Sequence, residues 1–99
     1  MTVTTRSRGG VLIRLTDERW AHVAEEHAEM AGRRLEVLET VALADTVRQG
    51  GAGELLAVKA YGDKQLVVVY KELDEGGFII TAFLTSKAQS LEKRKQVWP

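Results

Sequence analysis

The hydrophobic pattern changes its period once, at a cluster of glycines, and this change constrains the fold more than any other feature. Before Gly50-Gly51-Ala52-Gly53, apolar residues recur every three or four positions, as on one face of a helix. After this cluster they alternate with a period of two, which is typical of strands. Helices followed by strands indicate an α+β domain. We therefore expect N-terminal helices packed on a three- to four-stranded antiparallel sheet, with a C-terminal helix.

Two helices are predicted before the glycine cluster. The first, Thr16–Ala31, begins at a residue whose hydroxyl can accept a free N–H of the first turn. Gly32 is expected to end this helix as its C′ residue, because glycine takes a positive φ at little cost. The second helix is Arg33–Ala44, and Asp45 can cap a last short turn that runs through Arg48. The side chains expected to pack against the sheet are Trp20, Val23 and Met30.

The remaining elements follow from turn residues and alternation. Three strands are predicted at Glu54–Tyr61, Gln65–Lys71 and Phe78–Thr85, with the second in the middle of an antiparallel meander. Lys87–Val97 is predicted as a helix. Before the first helix, Met1–Gly10 is polar and is expected to be a loose tail. Val11–Leu15 is either a strand or a linker into the helix.

Composition places the chain among ordinary globular proteins. Its 99 residues are 44% hydrophobic and 28% charged, as expected for one domain over residues 1–99. The absence of cysteine excludes a disulfide framework, a thiolate metal site and a cysteine nucleophile. No apolar stretch approaches the roughly 20 residues of a membrane helix, and the polar N-terminus lacks the apolar core of a signal peptide. We expect a cytoplasmic protein with no membrane partner.

Charge is unevenly distributed, although the formal net charge is zero. Residues 1–15 and 86–99 each carry +3, whereas residues 16–45 carry −5. The neutral total argues against a strong nucleic-acid binder. Two interpretations of the basic ends stay open: ordinary solvated charge, or one cationic patch if the ends meet. If the chain binds RNA, we expect Arg14, Lys59 and Lys87 to lie on one side and contact phosphate.

The two histidines, His22 and His27, are candidates for acid–base catalysis because imidazole suits proton transfer near neutral pH. In a continuous helix their spacing of five places them about 140° apart, so they cannot bind one metal together. Each also has a structural interpretation, as a surface residue for His22 and as a core residue for His27. If only one is catalytic we favour His22, because His27 shares the apolar stripe.

The strands supply the other candidate site residues. Lys59, Tyr61 and Thr81, together with Phe83 and Thr85, are expected on one sheet face. A cation and hydroxyls beside an aromatic ring can hold a phosphate and stack a base. The alternative is that both aromatic rings simply pack beneath a helix. No cofactor or metal-binding motif is present.

The order of these residues resembles a known group of proteins. The segments that carry the resemblance are Leu15-Thr16-x-x-x-Trp20-x-His22-Val23-x-x-x-His27-x-Glu29-Met30, Thr40-Val41, Ala44-Asp45-x-Val47 and Gly77–Phe83. They are similar to the phage and bacterial nuclease-like domains grouped with barnase, EndoU, the tRNase colicins and RelE. The resemblance covers about Leu12–Lys87. It implies a metal-independent ribonuclease of toxin or phage-associated type, with an antitoxin or immunity protein as a partner.

The implied reaction transfers a ribose 2′-OH onto the adjacent phosphate. A base takes the hydroxyl proton, an acid protonates the leaving oxygen, and cations hold the phosphate. We expect His22 and His27 to serve catalysis, because they are the chain's only histidines and both lie in the best-matched segment of the resemblance. We expect Arg14, Lys59, Tyr61, Thr81 and Lys87 to bind the substrate. Two alternatives stay open: a non-catalytic relative that binds a protein or RNA, and a different small-molecule or structural role.

Overall fold

A computed structural model describes residues 1–99 and shows one large sheet rather than a small meander. The sheet has seven strands, and 44% of the residues lie in strands. The elements in chain order are β1 (Thr2–Arg6), β2 (Leu12–Thr16), α1 (Asp17–Glu26), a 3₁₀ turn (Ala28–Met30), α2 (Arg34–Leu43), β3 (Thr46–Gln49), β4 (Leu55–Tyr61), β5 (Lys64–Leu73), β6 (Gly76–Thr85), α3 (Ala88–Glu92) and β7 (Gln96–Trp98).

The strand order is β1-β2-β6-β5-β4-β3-β7. All neighbours are antiparallel except β2 and β6, which run parallel where Ile13 pairs with Gly77 and Arg14 with Phe78. The expected fold class, a three- to four-stranded antiparallel sheet with N-terminal helices and a C-terminal helix, is therefore wrong. The protein is a sheet-dominated α+β fold with a mixed sheet.

The meander itself is present in the sheet. β5 pairs with β4 on one side and with β6 on the other, both antiparallel, and β5 and β6 are each ten residues long. The branched side chains of β5 give it two buried faces, as in a central strand. The other strands are added at both edges of this meander.

Three segments differ from the sequence prediction. The predicted tail contains β1, which pairs with β2 along its whole length, and its Thr5 hydroxyl donates to the Leu38 carbonyl oxygen at 3.1 Å. The predicted turn from Asp45 to Arg48 is instead β3, which pairs with β4. The predicted helix Lys87–Val97 shortens to α3 and is followed by β7, which pairs with β3. β1 and β3 each pair with the next strand in the chain, whereas the only partner of β7 is β3, which is far away in sequence.

The start of the first helix agrees with the prediction, but its end does not. Thr16 is the N-cap, and its hydroxyl accepts the Arg19 backbone N–H at 3.0 Å. The α-helix ends at Glu26, and His27 leaves the helical conformation with φ −131°. The 3₁₀ turn completes the segment, and Gly32 adopts the expected positive φ. Val23 and Met30 are fully buried, whereas Trp20 is half-buried.

The sheet has two faces of different character. We call the side packed against α1, the 3₁₀ turn and α2 the helix face; it holds the larger core, built around Ile13, Leu66, Val68 and Tyr70. We call the other side the outer face; there Leu91 of α3 packs on Leu56, Val58 and Val67. No helix is long and apolar enough to span a membrane.

Candidate functional site

The two histidines occupy different environments. His22 lies on the exposed side of α1. His27 lies just after α1, with its ring centroid 5.8 Å from that of Phe83 in β6. Its Nδ1 atom is 3.8 Å from an Oε atom of Glu29, and the two side chains are 33% and 42% exposed. Because His27 is outside the regular helix, the expected 140° separation from His22 does not apply, and only His27 has a titratable partner in reach.

The predicted sheet residues do not share one face. Residues paired directly across neighbouring strands point to the same face. Lys59 pairs with Leu66, a core residue of the helix face, and Tyr61 lies two positions further on the same side. Thr81 pairs with Val69 on the outer face. The expected grouping of Lys59, Tyr61 and Thr81 on one face is therefore wrong.

Tyr61 belongs to a polar cluster between β4 and the start of α2. Its hydroxyl accepts a short hydrogen bond from Arg33 and donates to a Glu36 carboxylate oxygen at 3.3 Å. The Arg33 guanidinium also lies over the Tyr61 ring, 5.2 Å from its centroid. Arg33 Nε in turn donates to the Glu29 carbonyl oxygen at 2.9 Å. This cluster fixes the segment that carries Glu29, next to His27.

A β-bulge changes the sheet faces that the aromatic residues of β6 occupy from those that their sequence spacing predicts. Strict alternation puts Phe78 and Phe83 on opposite faces. The pairing shifts between Val69 and Tyr70, so that Val69 faces Thr81 while Tyr70 faces Ile79. The extra residue, Ile80, brings Phe78 onto the outer face together with Thr81 and Phe83. The two phenylalanines therefore lie on one face of one strand, roughly 16 Å apart at the usual rise per residue.

A row of two cations and one aromatic ring crosses the outer face near the start of β6. Arg14 of β2 pairs with Phe78, and Phe78 pairs with Lys71 of β5. Arg14 is exposed, and Phe78 is 36% exposed although its neighbour Ile79 is buried. Sequence reasoning identified Arg14 but missed Lys71 and Phe78. The basic residue in β5 and the aromatic in β6 were visible signals, but only the register shows that they are adjacent.

The remaining predicted residues lie further along β6. The Thr81 hydroxyl is buried and has no hydrogen-bond partner. Lys87 follows the end of β6 and is exposed, whereas Arg14 pairs with its start, so about 25 Å of strand separates them. Arg14, Lys59 and Lys87 therefore do not form a single patch.

Other charges lie beside Lys71. The pKa of Glu54 is lowered, first by a hydrogen bond from the Ala52 backbone N–H and, more weakly, by the charges of Arg94 and Lys71. Two cations therefore approach one carboxylate at this side of the outer face. No three histidine, aspartate or glutamate side chains lie close enough together to hold a metal ion.

No protein-family model, curated protein or solved structure matches this chain. The resemblance to the nuclease-like group therefore stays a prediction from the sequence.

Proposed function

We propose that the protein is a metal-independent endoribonuclease of the cytoplasm that binds single-stranded RNA along the outer face of β6 and cleaves it at His27. The observation that carries the proposal is the placement of Phe78 between Arg14 and Lys71 on the same strand face as Phe83, which contacts His27. The groups proposed to bind RNA and the His27–Glu29 pair proposed to cleave it therefore both lie along β6.

The row at Phe78 has the chemistry of a single-strand binding surface. Neighbouring strands lie about 4.8 Å apart, so each cation stands next to the exposed ring. Aromatic rings stack bases of any type, and lysine and arginine hold the backbone phosphates. Phe83 supplies a second ring further along β6. This arrangement supports binding of unpaired RNA with little sequence preference.

His27 and Glu29 together can perform both proton transfers of the cleavage. In the proposed reaction, the Glu29 carboxylate takes the proton of the ribose 2′-OH, and the 2′-oxygen attacks the adjacent phosphorus. The bond from phosphorus to the 5′-oxygen breaks, and protonated His27 gives its proton to that oxygen. The products are a 2′,3′-cyclic phosphate and a 5′-hydroxyl. The imidazolium charge beside the phosphate also stabilises the developing negative charge.

A binding module without cleavage is the second candidate function. The cation–aromatic row supports it independently, because the row lies at the far end of β6 from His27 and needs no histidine. The two candidates therefore differ only in what happens at His27.

Binding is tested with a labelled single-stranded oligouridine and fluorescence anisotropy at several salt concentrations. Phe78→Ala is expected to weaken binding by about 1–3 kcal/mol, the usual contribution of one stacked base. Lys71→Gln is expected to reduce the dependence of log K on log salt by about 0.7. Lys64→Gln, a change at the exposed start of the same strand, is the matched control and should leave the slope unchanged. Equal slopes for the two lysine variants would contradict the binding surface.

Cleavage is tested by mapping the ends of RNA incubated with the purified protein. His27→Gln and Glu29→Gln are each expected to lower the rate about 10²–10⁴-fold, since each removes one proton-transfer group. His22→Gln is the control and should retain the parental rate and melting temperature. Full activity in a folded His27→Gln variant would refute the mechanism. RNA binding without any cleavage by the parent protein would establish the binding module instead.

A further inference from the structure

A cavity of about 300 Å³ lies on the helix face of the sheet, away from the outer face and His27. The loop between β1 and β2 closes one side of it, and β7 closes the other. Its apolar lining includes Val47, Leu55 and the ring of Trp98, and its charged lining consists of Arg8 and Glu72. The volume is at the lower end of the range for small-molecule sites.

The two charged residues flank the cavity without pairing with each other. Arg8 Nε donates to the Ala44 carbonyl oxygen at 3.1 Å, and its guanidinium stacks on Trp98, 4.4 Å from the ring centroid. Its two terminal nitrogens make no hydrogen bond to the protein. Glu72 accepts one short hydrogen bond from the Ser7 hydroxyl and has no cation in ion-pair contact. The cavity therefore has a positively charged group and a negatively charged group in its lining, and each is held in place by contacts with the protein.

Tyr70 adds a third polar group to the cavity, a hydroxyl that makes no hydrogen bond to the protein. The residue is only 1% exposed and lines the cavity. The pKa of its hydroxyl is raised, first by burial and then by the negative charge of Glu72, so the group stays protonated and can donate a hydrogen bond. No protein group accepts this hydrogen bond. The hydroxyl is therefore free to donate to an acceptor on a ligand in the cavity.

We propose that this cavity binds a zwitterionic amino acid with a large apolar side chain. The ligand ammonium group fits the carboxylate of Glu72, and the ligand carboxylate fits the terminal nitrogens of Arg8, which suit bidentate binding. The Tyr70 hydroxyl donates to the same carboxylate. The apolar side chain lies among Val47, Leu55 and Trp98. Because the cavity and the RNA surface are on opposite faces, this site is independent of the proposed ribonuclease function.

The first test compares ligands on the unaltered protein by calorimetry and amide chemical shifts. L-Leucine and L-phenylalanine are expected to bind and to shift the amides of the β1–β2 loop and β7. L-Leucinamide lacks the carboxylate and N-acetyl-L-leucine lacks the ammonium charge, and each should bind at least about tenfold more weakly than L-leucine. L-Alanine, which lacks apolar bulk, should also bind more weakly. Equal binding of these analogues, or no binding of L-leucine and L-phenylalanine at millimolar concentration, would overturn the proposal.

The second test uses two substitutions in the cavity. Glu72→Gln is expected to weaken L-leucine binding about tenfold, and Glu75→Gln, at the exposed turn after β5, is the matched control. Tyr70→Phe removes only the hydroxyl that has no protein partner. It should leave the melting temperature of the free protein unchanged or higher, while weakening L-leucine binding several-fold. Unchanged binding in both variants would contradict the assigned orientation even if the protein binds L-leucine.

Discussion

Asp17 shows how one exposed side chain joins three parts of the chain. It is the first residue of α1, where a negative charge suits the positive end of the helix. Its carboxylate accepts from the Met1 ammonium group at 2.6 Å and from Arg34 of α2 at 2.9 Å. These hydrogen bonds, with that from Met1 the stronger, hold the pKa of Asp17 below its ordinary value of 3.8. The carboxylate therefore stabilises the folded state in its charged form.

Asp17→Asn is expected to reveal this contribution through its pH dependence. A pKa that is lower in the folded state gives stability that is present above about pH 4 and lost as the pH falls through the folded pKa. The variant should therefore melt at a lower temperature than the parent at pH 7, and the difference should shrink as the pH falls below about 4. Thermal melts across this range measure it, with Glu18→Gln as the control on the same exposed turn. A difference that persists unchanged at pH 2 would show that the effect is not carried by the charge.

Residue-level predictions succeed where the cause is local. The sequence alone predicts Thr16 as an N-cap and Gly32 as a positive-φ residue, because each follows from the backbone needs of its own turn. Phe78 could not be assigned to the outer face, since its orientation depends on a bulge set by pairing between β5 and β6. His27 could not be placed beside Phe83, because the end of α1 at Glu26 has no glycine or proline to mark it.

At the scale of elements, the sequence predicts the long strands and misses the short ones at the edges. β4, β5 and β6 are joined by short turns and contain many apolar residues, so their pairing is local and visible. β1 reads TVTTR, which has strong strand propensity but looks like a polar tail because only one side of it is covered. β7 has three residues and pairs with β3, far away in sequence, so nothing in its own residues identifies it as a strand.

Gly77 lies at the one parallel junction in the sheet and is also closely packed against β5. A Cβ at this position would overlap the Lys71 carbonyl oxygen and lie 2.8 Å from Ile13 Cδ1, and Gly77 pairs directly with Ile13. Gly77→Ala is therefore expected to lower the free energy of unfolding by at least about 2 kcal/mol, as for other overpacked sites. Denaturant unfolding measures the change.

Gly51→Ala is the matched control for this junction. No atom lies within 4 Å of a Cβ at Gly51, and its φ is not positive, so the substitution should be neutral or stabilising by about 0.4–1 kcal/mol. Similar unfolding curves for the two alanine variants would show that Gly77 is not closely packed against β5 and β2.

At the scale of the molecule, the sheet curves around α2. This helix contacts β1 at one edge of the sheet as well as β4 and β5 in its middle. Val37, Thr40 and Val41 along it and Ala44 at its C-cap are essentially inaccessible. The two edges of the sheet also approach each other, since Arg8 follows β1 and stacks on Trp98 of β7. The sequence could not predict this closure, because it depends on β1 and β7, whose presence was not expected.

Amide hydrogen exchange tests the central position of α2. Its amides and those of β5 are expected to exchange only on global unfolding, because opening them disrupts the whole core. Those of α3 and β7 should exchange through local opening, since α3 has only five residues and β7 is a three-residue edge strand. Exchange of α2 as fast as that of α3 would contradict a core built around this helix.

The parallel pairing of β2 with β6 also bears on how the protein forms during synthesis. Position 13 meets position 77, so the hairpin of β1 and β2 leaves the ribosome long before its partner strand exists. The nascent chain must carry the apolar side chains Ile13 and Leu15 without their final cover until the meander is complete. Contacts of such long sequence separation form late in folding, because a large loop must close first. The N-terminal hairpin of the nascent chain is therefore prone to aggregation, and the pairing edge of β2 is covered only after β6 has been synthesised.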